Sequence, residues 1–137
     1  MRSTRVVQVG DASVVIDAFV PVGRRGLIAV SRHSNDHCLA PELLDIEVLH
    51  ALRGMVRRDA IPEAEARLLV SSLGALGIVR RPHLPLIPRI WELRDNLTAY
   101  DAAYVALAEA LRCPLVTSDA RLASAAGIRC EVEVIGT

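Results

Sequence analysis

Leu115-Val116-Thr117-Ser118-Asp119-Ala120-Arg121-Leu122-Ala123 passes from a short apolar run, through a Ser-Asp junction, into a helix-forming segment. An apolar run of this length bounded by polar residues reads as a buried strand, here Pro114–Ser118. Asp at such a junction caps the helix that follows, so Asp119–Ala126 is predicted as a helix stopped by Gly127. The same pattern opens the chain. Arg5–Gly10 reads as a strand, Asp11 stands at its end, and Ala12–Val20 continues as a helix halted near Pro21.

Working outward, the alternation holds throughout. Gly26–Arg32 reads as a second helix, His33–His37 as a polar turn, and Cys38-Leu39-Ala40 as a strand. Pro41 opens a helical pattern to about Arg58, and Pro62–Leu76 is a further helix stopped by Gly77. Ile78–Arg81 is a strand, Leu86–Arg94 and Ala99–Arg112 are helices, and Val132–Ile135 is a last strand. Strands alternating with helices imply an α/β fold with a parallel sheet covered on both faces. There is no internal repeat or linker, and 137 residues suit one domain with one core, so residues 1–137 are expected to form a single unit.

Ligands of such sheets bind beyond the carboxyl ends of the strands, where the following helices also begin. Four acids fall at strand ends or early in helices: Asp11, Glu47, Asp101 and Asp119. Each has a plain structural account. Asp11 and Asp119 serve as N-caps, worth ~1 kcal/mol each. Thr98 with Asp101 resembles a capping box. Glu47 borders the helix face shared by Leu44, Val48, Ala51 and Met55, where a carboxylate needs a partner because isolated burial is costly. Asp101 shares its face with Tyr104, Val105 and Ala108, which points it inward. Taken together the four converge on one edge. Two unit charges ~4 Å apart repel by about 4 kcal/mol at an effective dielectric of ~20, so such a pocket requires raised pKa values or a cation. Oxygen ligands alone select Mg2+ or Mn2+ over zinc.

Composition narrows the classes. Hydrophobic residues make up 52 %, so the chain is globular, and that content suits both a well-filled core and an apolar homodimer face. No apolar run reaches membrane-spanning length and no signal peptide opens the chain, so no membrane partner and a cytoplasmic location are expected. Cys38, Cys113 and Cys130 form no CxxC pair and read as reduced, mostly buried thiols. All 16 basic residues are Arg, whose planar fork suits phosphate. Arg24, Arg25, Arg53, Arg57, Arg58, Arg80 and Arg81 are candidates for phosphate contact, against the plainer reading of a solvated, ion-paired face. Aromatics are 3 %, too few for a stacking platform. His33 and His37 beside Cys38 form a faint zinc pattern, but Ser34-Asn35-Asp36 between them reads as a turn. His50 and His83 read as surface or packing residues.

Val9-Gly10-Asp11-Ala12-Ser13-Val14-Val15, Ala40-Pro41-Glu42-Leu43-Leu44-Asp45-Ile46-Glu47, Tyr100-Asp101-Ala102-Ala103-Tyr104-Val105-Ala106-Leu107-Ala108-Glu109 and Leu115-Val116-Thr117-Ser118-Asp119 together resemble the PIN-domain family, and within it the VapC toxins of bacterial toxin–antitoxin pairs. The resemblance covers nearly the whole chain in the same order. It implies a three-layer α/β/α sandwich with a central parallel sheet and a Mg2+- or Mn2+-dependent endoribonuclease. It carries the catalytic acids onto Asp11, Glu47, Asp101 and Asp119, with Asp11, Asp101 and Asp119 as metal ligands and Ser13 and Thr117 as supporting hydroxyls. It also implies an RNA substrate and a cognate antitoxin that neutralises the toxin. Gln8 and Gly10 depart from a clean apolar first strand. Asp17 rivals Asp11, and the family's Asp-Ala-Ser selects Asp11.

Two other classes gather acids at the same edge, the response-regulator receivers and the haloacid-dehalogenase-type phosphatases. Both families use a lysine near the phosphoryl site, and this chain has none. The alternative to an enzyme is a catalytically inactive PIN-like module that binds RNA or protein, its acids serving as caps.

Overall fold

The computed structural model describes residues 7–20 and 37–135. The helix expected over Gly26–Arg32, most of the turn before His37, and Arg24 and Arg25 lie outside these residues. Five strands form one parallel sheet: β1 (Val7–Gly10), β2 (His37–Pro41), β3 (Val79–Arg81), β4 (Leu115–Thr117) and β5 (Val132–Val134), in the order β3-β2-β1-β4-β5. Among the described residues the helices are α1 (Ala12–Phe19), α2 (Leu43–Arg57), α3 (Glu63–Ser72), α4 (Ile87–Glu92), α5 (Ala99–Leu111) and α6 (Ala120–Ala123), with single 3-10 turns at Leu73–Ala75 and Leu84–Leu86.

The chain steps from β1 to β2 to β3 in one direction, then returns to the other side of β1 with β4 and β5. Parallel crossovers are right-handed, so reversing the direction of travel moves the connecting helices to the opposite face. The result is a sheet with helices on both sides. α5 packs across β1, β2 and β4, while α1 packs on α2 and β4. Side chains on β4 alternate accordingly. Leu115 joins the main core, and Val116 faces a second cluster with Val14, Ala18 and Ile135. α5 is buried continuously from Ala102 to Ala108, the signature of a helix in the core.

Within the described residues the expected elements appear, with shifted ends. Pro41 closes β2, opposite Arg81, and does not open the next helix. Lacking an N–H, proline is tolerated at a strand end, and Glu42 donates its own N–H to the Arg81 carbonyl to extend the ladder. The helix after Asp119 is a single turn ending at Ala123, well short of Ala126. Gly77 and Gly127 adopt φ of 76° and 85°, the left-handed backbone that stops the preceding segments. Gln8 is fully buried in β1 and donates to the Cys38 sulfur at 3.4 Å, which accounts for a polar residue in a central strand. Cys38, Cys113 and Cys130 form no disulfide.

Leu44 anchors α2 with no exposed surface and sits one turn before Glu47. Leu44→Ala is expected to lower stability by about 2–5 kcal/mol in urea unfolding, as core truncations do.

Candidate active site

The β1–β4 pairing sets Gly10 against Val116, so the residues that follow each strand emerge side by side. Asp11 leaves β1 and caps α1, accepting the Val14 N–H at 3.3 Å. The Ser13 hydroxyl donates to one of its carboxylate oxygens and the Thr117 hydroxyl to the other. Each hydroxyl is held in turn by the β4 loop. Ser118 N–H donates to Ser13 Oγ at 3.0 Å, and Asp119 N–H donates to Thr117 Oγ1 at 3.0 Å. Asp11 is thus a buried carboxylate, 9 % exposed, with both oxygens oriented by hydroxyls from two segments. Burial raises its pKa, partly offset by Ser13, Thr117 and the Val14 N–H, and the charge of Asp101 raises it further.

Glu47 stands half-buried on α2 beside Leu44 and Val48. Burial raises its pKa, the Tyr104 hydroxyl counteracts, and Asp101 and Asp11 add to the rise. Asp101 sits in the first turn of α5, where its N–H donates to Thr98 Oγ1 at 3.2 Å. Burial and then the charge of Asp119 raise its pKa, against Thr98 and Arg121. Asp119 behaves oppositely. Arg121 grips it through Nε at 3.0 Å and Nη2 at 2.7 Å, and holds its carboxyl below the usual range. The four acids therefore feel one another across a single site, and three of them are pushed toward the protonated form.

The site opens into a cleft of about 990 Å³ lined by Ser13, Asp17, Glu47, Asp119 and, around its margin, Tyr100, His50, Arg58 and Arg121. Among the described residues no three acidic, histidine or cysteine side chains stand close enough to make a ready-formed cation cage. The expected single socket is thus looser than the sequence implied, and Asp119 is already engaged by Arg121. The chemistry of the donors still fits a hard dication. The set is all oxygen, and apart from Arg121 no cation among the described residues pairs with any of the four. Tyr104 adds to the fit. Its hydroxyl is deeply buried and makes no formed hydrogen bond, though it lies close enough to Glu47 to shift both groups. Burial first, then Glu47, Asp11 and Asp101, drive its pKa upward. A hydrated cation is a natural neighbour for such an orphaned hydroxyl.

Comparison with known proteins follows the same lines. The PIN domain family matches residues 9–128. The chain is 45 % identical over 126 residues to Ribonuclease VapC1 of Mycobacterium tuberculosis, covering 91 % of this chain and 95 % of that one. The chain belongs to the PIN-domain family, in its VapC branch. Ribonuclease VapC9 of Mycobacterium tuberculosis is 41 % identical over the same length and coverage. Two solved structures share the PIN fold. VapBC2 from Rickettsia felis, bound to a promoter DNA fragment, matches with a TM-score of 0.65 at 10 % identity over 94 % of this chain and 98 % of that one. VapC20 of Mycobacterium tuberculosis, a Sarcin-Ricin loop cleaving toxin, matches with a TM-score of 0.65 at 13 % identity over 89 % and 96 %.

In this PIN domain several residues matter that sequence reasoning passed over or placed elsewhere. His50 lines the cleft, three residues after Glu47 and so on the same side of α2. Arg121 and Tyr104 carry no signal beyond nearness to Asp119 and Asp101. Ser118 Oγ donates to Asp17, which places Asp17 at the cleft wall beside Ser13 and leaves Asp11 as the carboxylate held by Ser13 and Thr117. Of the arginine candidates, Arg58 lines the cleft. Arg80 is structural: it binds Asp45 at 2.8 Å and the carbonyls of Ile78 and Leu73. Arg53 and Arg57 line a different groove between α2 and α3. Arg81 is exposed at the end of β3.

Thr117→Val removes a donor to a buried carboxylate and is expected to cost about 1–3 kcal/mol near pH 7. The cost should shrink near pH 4, where protonated Asp11 depends less on the contact, as urea unfolding at the two pH values will show. Asp101 has a folded pKa above its unfolded value, so its ionisation costs the folded state stability as pH rises past the normal carboxyl range. In metal-free buffer Asp101→Asn should therefore raise Tm near pH 7, by roughly 2–4 °C for each ~1 kcal/mol relieved. The gain should vanish near pH 3, where both forms are neutral.

Proposed function

We propose that this protein is a VapC-type toxin, an endoribonuclease that hydrolyses RNA phosphodiester bonds. Kinship with proteins named Ribonuclease VapC over 91 % of the chain carries the reading. Glu47 and Asp119 line one cleft, and Asp11 and Asp101 lie within electrostatic reach of them, which supports it.

In this reading Asp11, Asp101 and Asp119 would hold Mg2+ (or Mn2+). When bound, such an ion supplies a water of lowered pKa and positive charge to offset the phosphate oxygens. Ser13 and Thr117 orient the two oxygens of Asp11, so that carboxylate meets its ligand without rearrangement. Glu47, which lines the cleft, would orient the attacking water and take its proton. The water oxygen would bond to phosphorus as the bridging P–O bond breaks, the released oxygen taking its proton from solvent. Arg58 and His50, which line the cleft, would contact the flanking RNA backbone.

The cognate antitoxin is the proposed protein partner, and the VapBC2 structure that shares this fold is consistent with one. A homodimer is also proposed, since Leu84, Ile87 and Trp91 expose apolar surface near α4. Residues 1–137 act in this reading as one domain with no membrane partner and a cytoplasmic location. Among the described residues no helix is long and apolar enough to cross a membrane. The grip of Arg121 on Asp119 favours the other reading, a PIN-like module that binds RNA or protein without cleaving.

Incubation of the purified chain with RNA and Mn2+, followed by sequencing of the new ends, decides between them. Wild type should cut, and Asp11→Asn and Asp101→Asn should each lose about 100-fold or more in rate while remaining folded. Undiminished cleavage by a folded variant removes that acid from the mechanism. Saturating Mn2+ should also raise the wild-type Tm, by linkage worth about 2.7 kcal/mol at 100 times Kd, and should raise that of Asp101→Asn much less.

A further inference from the structure

Arg121 stands out among the charged groups of the cleft. Its guanidinium lies across the Asp119 carboxylate with Nε at 3.0 Å and Nη2 at 2.7 Å. Its own N–H donates to the same group at 3.0 Å. The side chain is nevertheless 88 % exposed, so little besides Asp119 restrains it. It lines the cleft that also holds Glu47 and Ser13. We infer that Arg121 is a displaceable counter-cation: it occupies Asp119 until a divalent ion takes that carboxylate, and then turns to the RNA phosphate in the cleft.

The inference rests on the ribonuclease reading and extends it to the loading of the site. An exposed ion pair is weak, so a dication can displace the guanidinium readily. The backbone N–H of Arg121 caps α6 regardless of the side chain, so removing the side chain leaves the helix start intact. A freed guanidinium beside a bound phosphate has the planar fork suited to its oxygens. The chain contains no lysine, and a lysine here would keep the charge while losing the fork.

The test compares wild type, Arg121→Gln and Arg121→Lys by isothermal titration with Mn2+ alone, without RNA. Arg121→Gln should bind Mn2+ about two- to fivefold more tightly, the range expected of an exposed pair. The difference should narrow at 0.5 M KCl, where exposed charges are screened. At saturating Mn2+ the same variant should raise KM for RNA about threefold or more with kcat little changed, and Arg121→Lys should recover part of that loss. Equal Mn2+ affinity of wild type and Arg121→Gln overturns the inference even where both cut RNA. If wild type neither binds Mn2+ nor cuts RNA, the ribonuclease reading falls and this inference with it.

Discussion

The pairing of β1 with β4 is the contact on which the site depends. These strands are distant in sequence, yet Gly10 lies opposite Val116 in parallel register. The sheet reverses its direction of growth at this junction, so no crossover helix covers the carboxyl ends of the two strands and a crevice is left there. Asp11 emerges from one strand, and Thr117 and Asp119 from the other. The hydroxyl of Thr117 then meets Asp11 across the seam. Without that pairing the acids would be helix caps and nothing more.

The fold places carboxylates where burial works against their charge. Asp11, Glu47 and Asp101 are each pushed toward the neutral form by desolvation and by other acids. A protein gains little stability from such an arrangement, because each ionised carboxylate loses hydration without forming an ion pair. Strain of this kind is common where chemistry is done. Asp119 differs because Arg121 supplies the missing charge within the chain. Of the four acids, only Asp119 is held in an ion pair among the described residues.

Capping does not exhaust these carboxylates. Asp11 and Asp119 do cap their helices, as the plain reading of each predicts. Each cap uses one oxygen to accept a backbone N–H, leaving the second oxygen for another partner. For Asp11 the second oxygen takes the Thr117 hydroxyl, and for Asp119 it takes the Arg121 guanidinium. Choosing between a structural and a functional role for each acid in isolation poses the wrong question.

Most of the architecture was legible in the chain. Apolar runs bounded by Gly, Pro and Asp mark all five strands, and the periodic stretches mark α2, α3 and α5, because such preferences depend on residues a few positions apart. Pro41 and the length of the last helix were misplaced, since strand pairing and a following turn settled those ends. The acids could be nominated from their junctions. That Tyr104 would leave a buried hydroxyl beside Glu47, that His50 would line the cleft, that Arg80 would serve Asp45 and that Arg121 would close on Asp119 were decided only in three dimensions. Those outcomes depend on crossover direction, helix packing and side-chain reach, which bring distant segments together and leave no local pattern in the sequence.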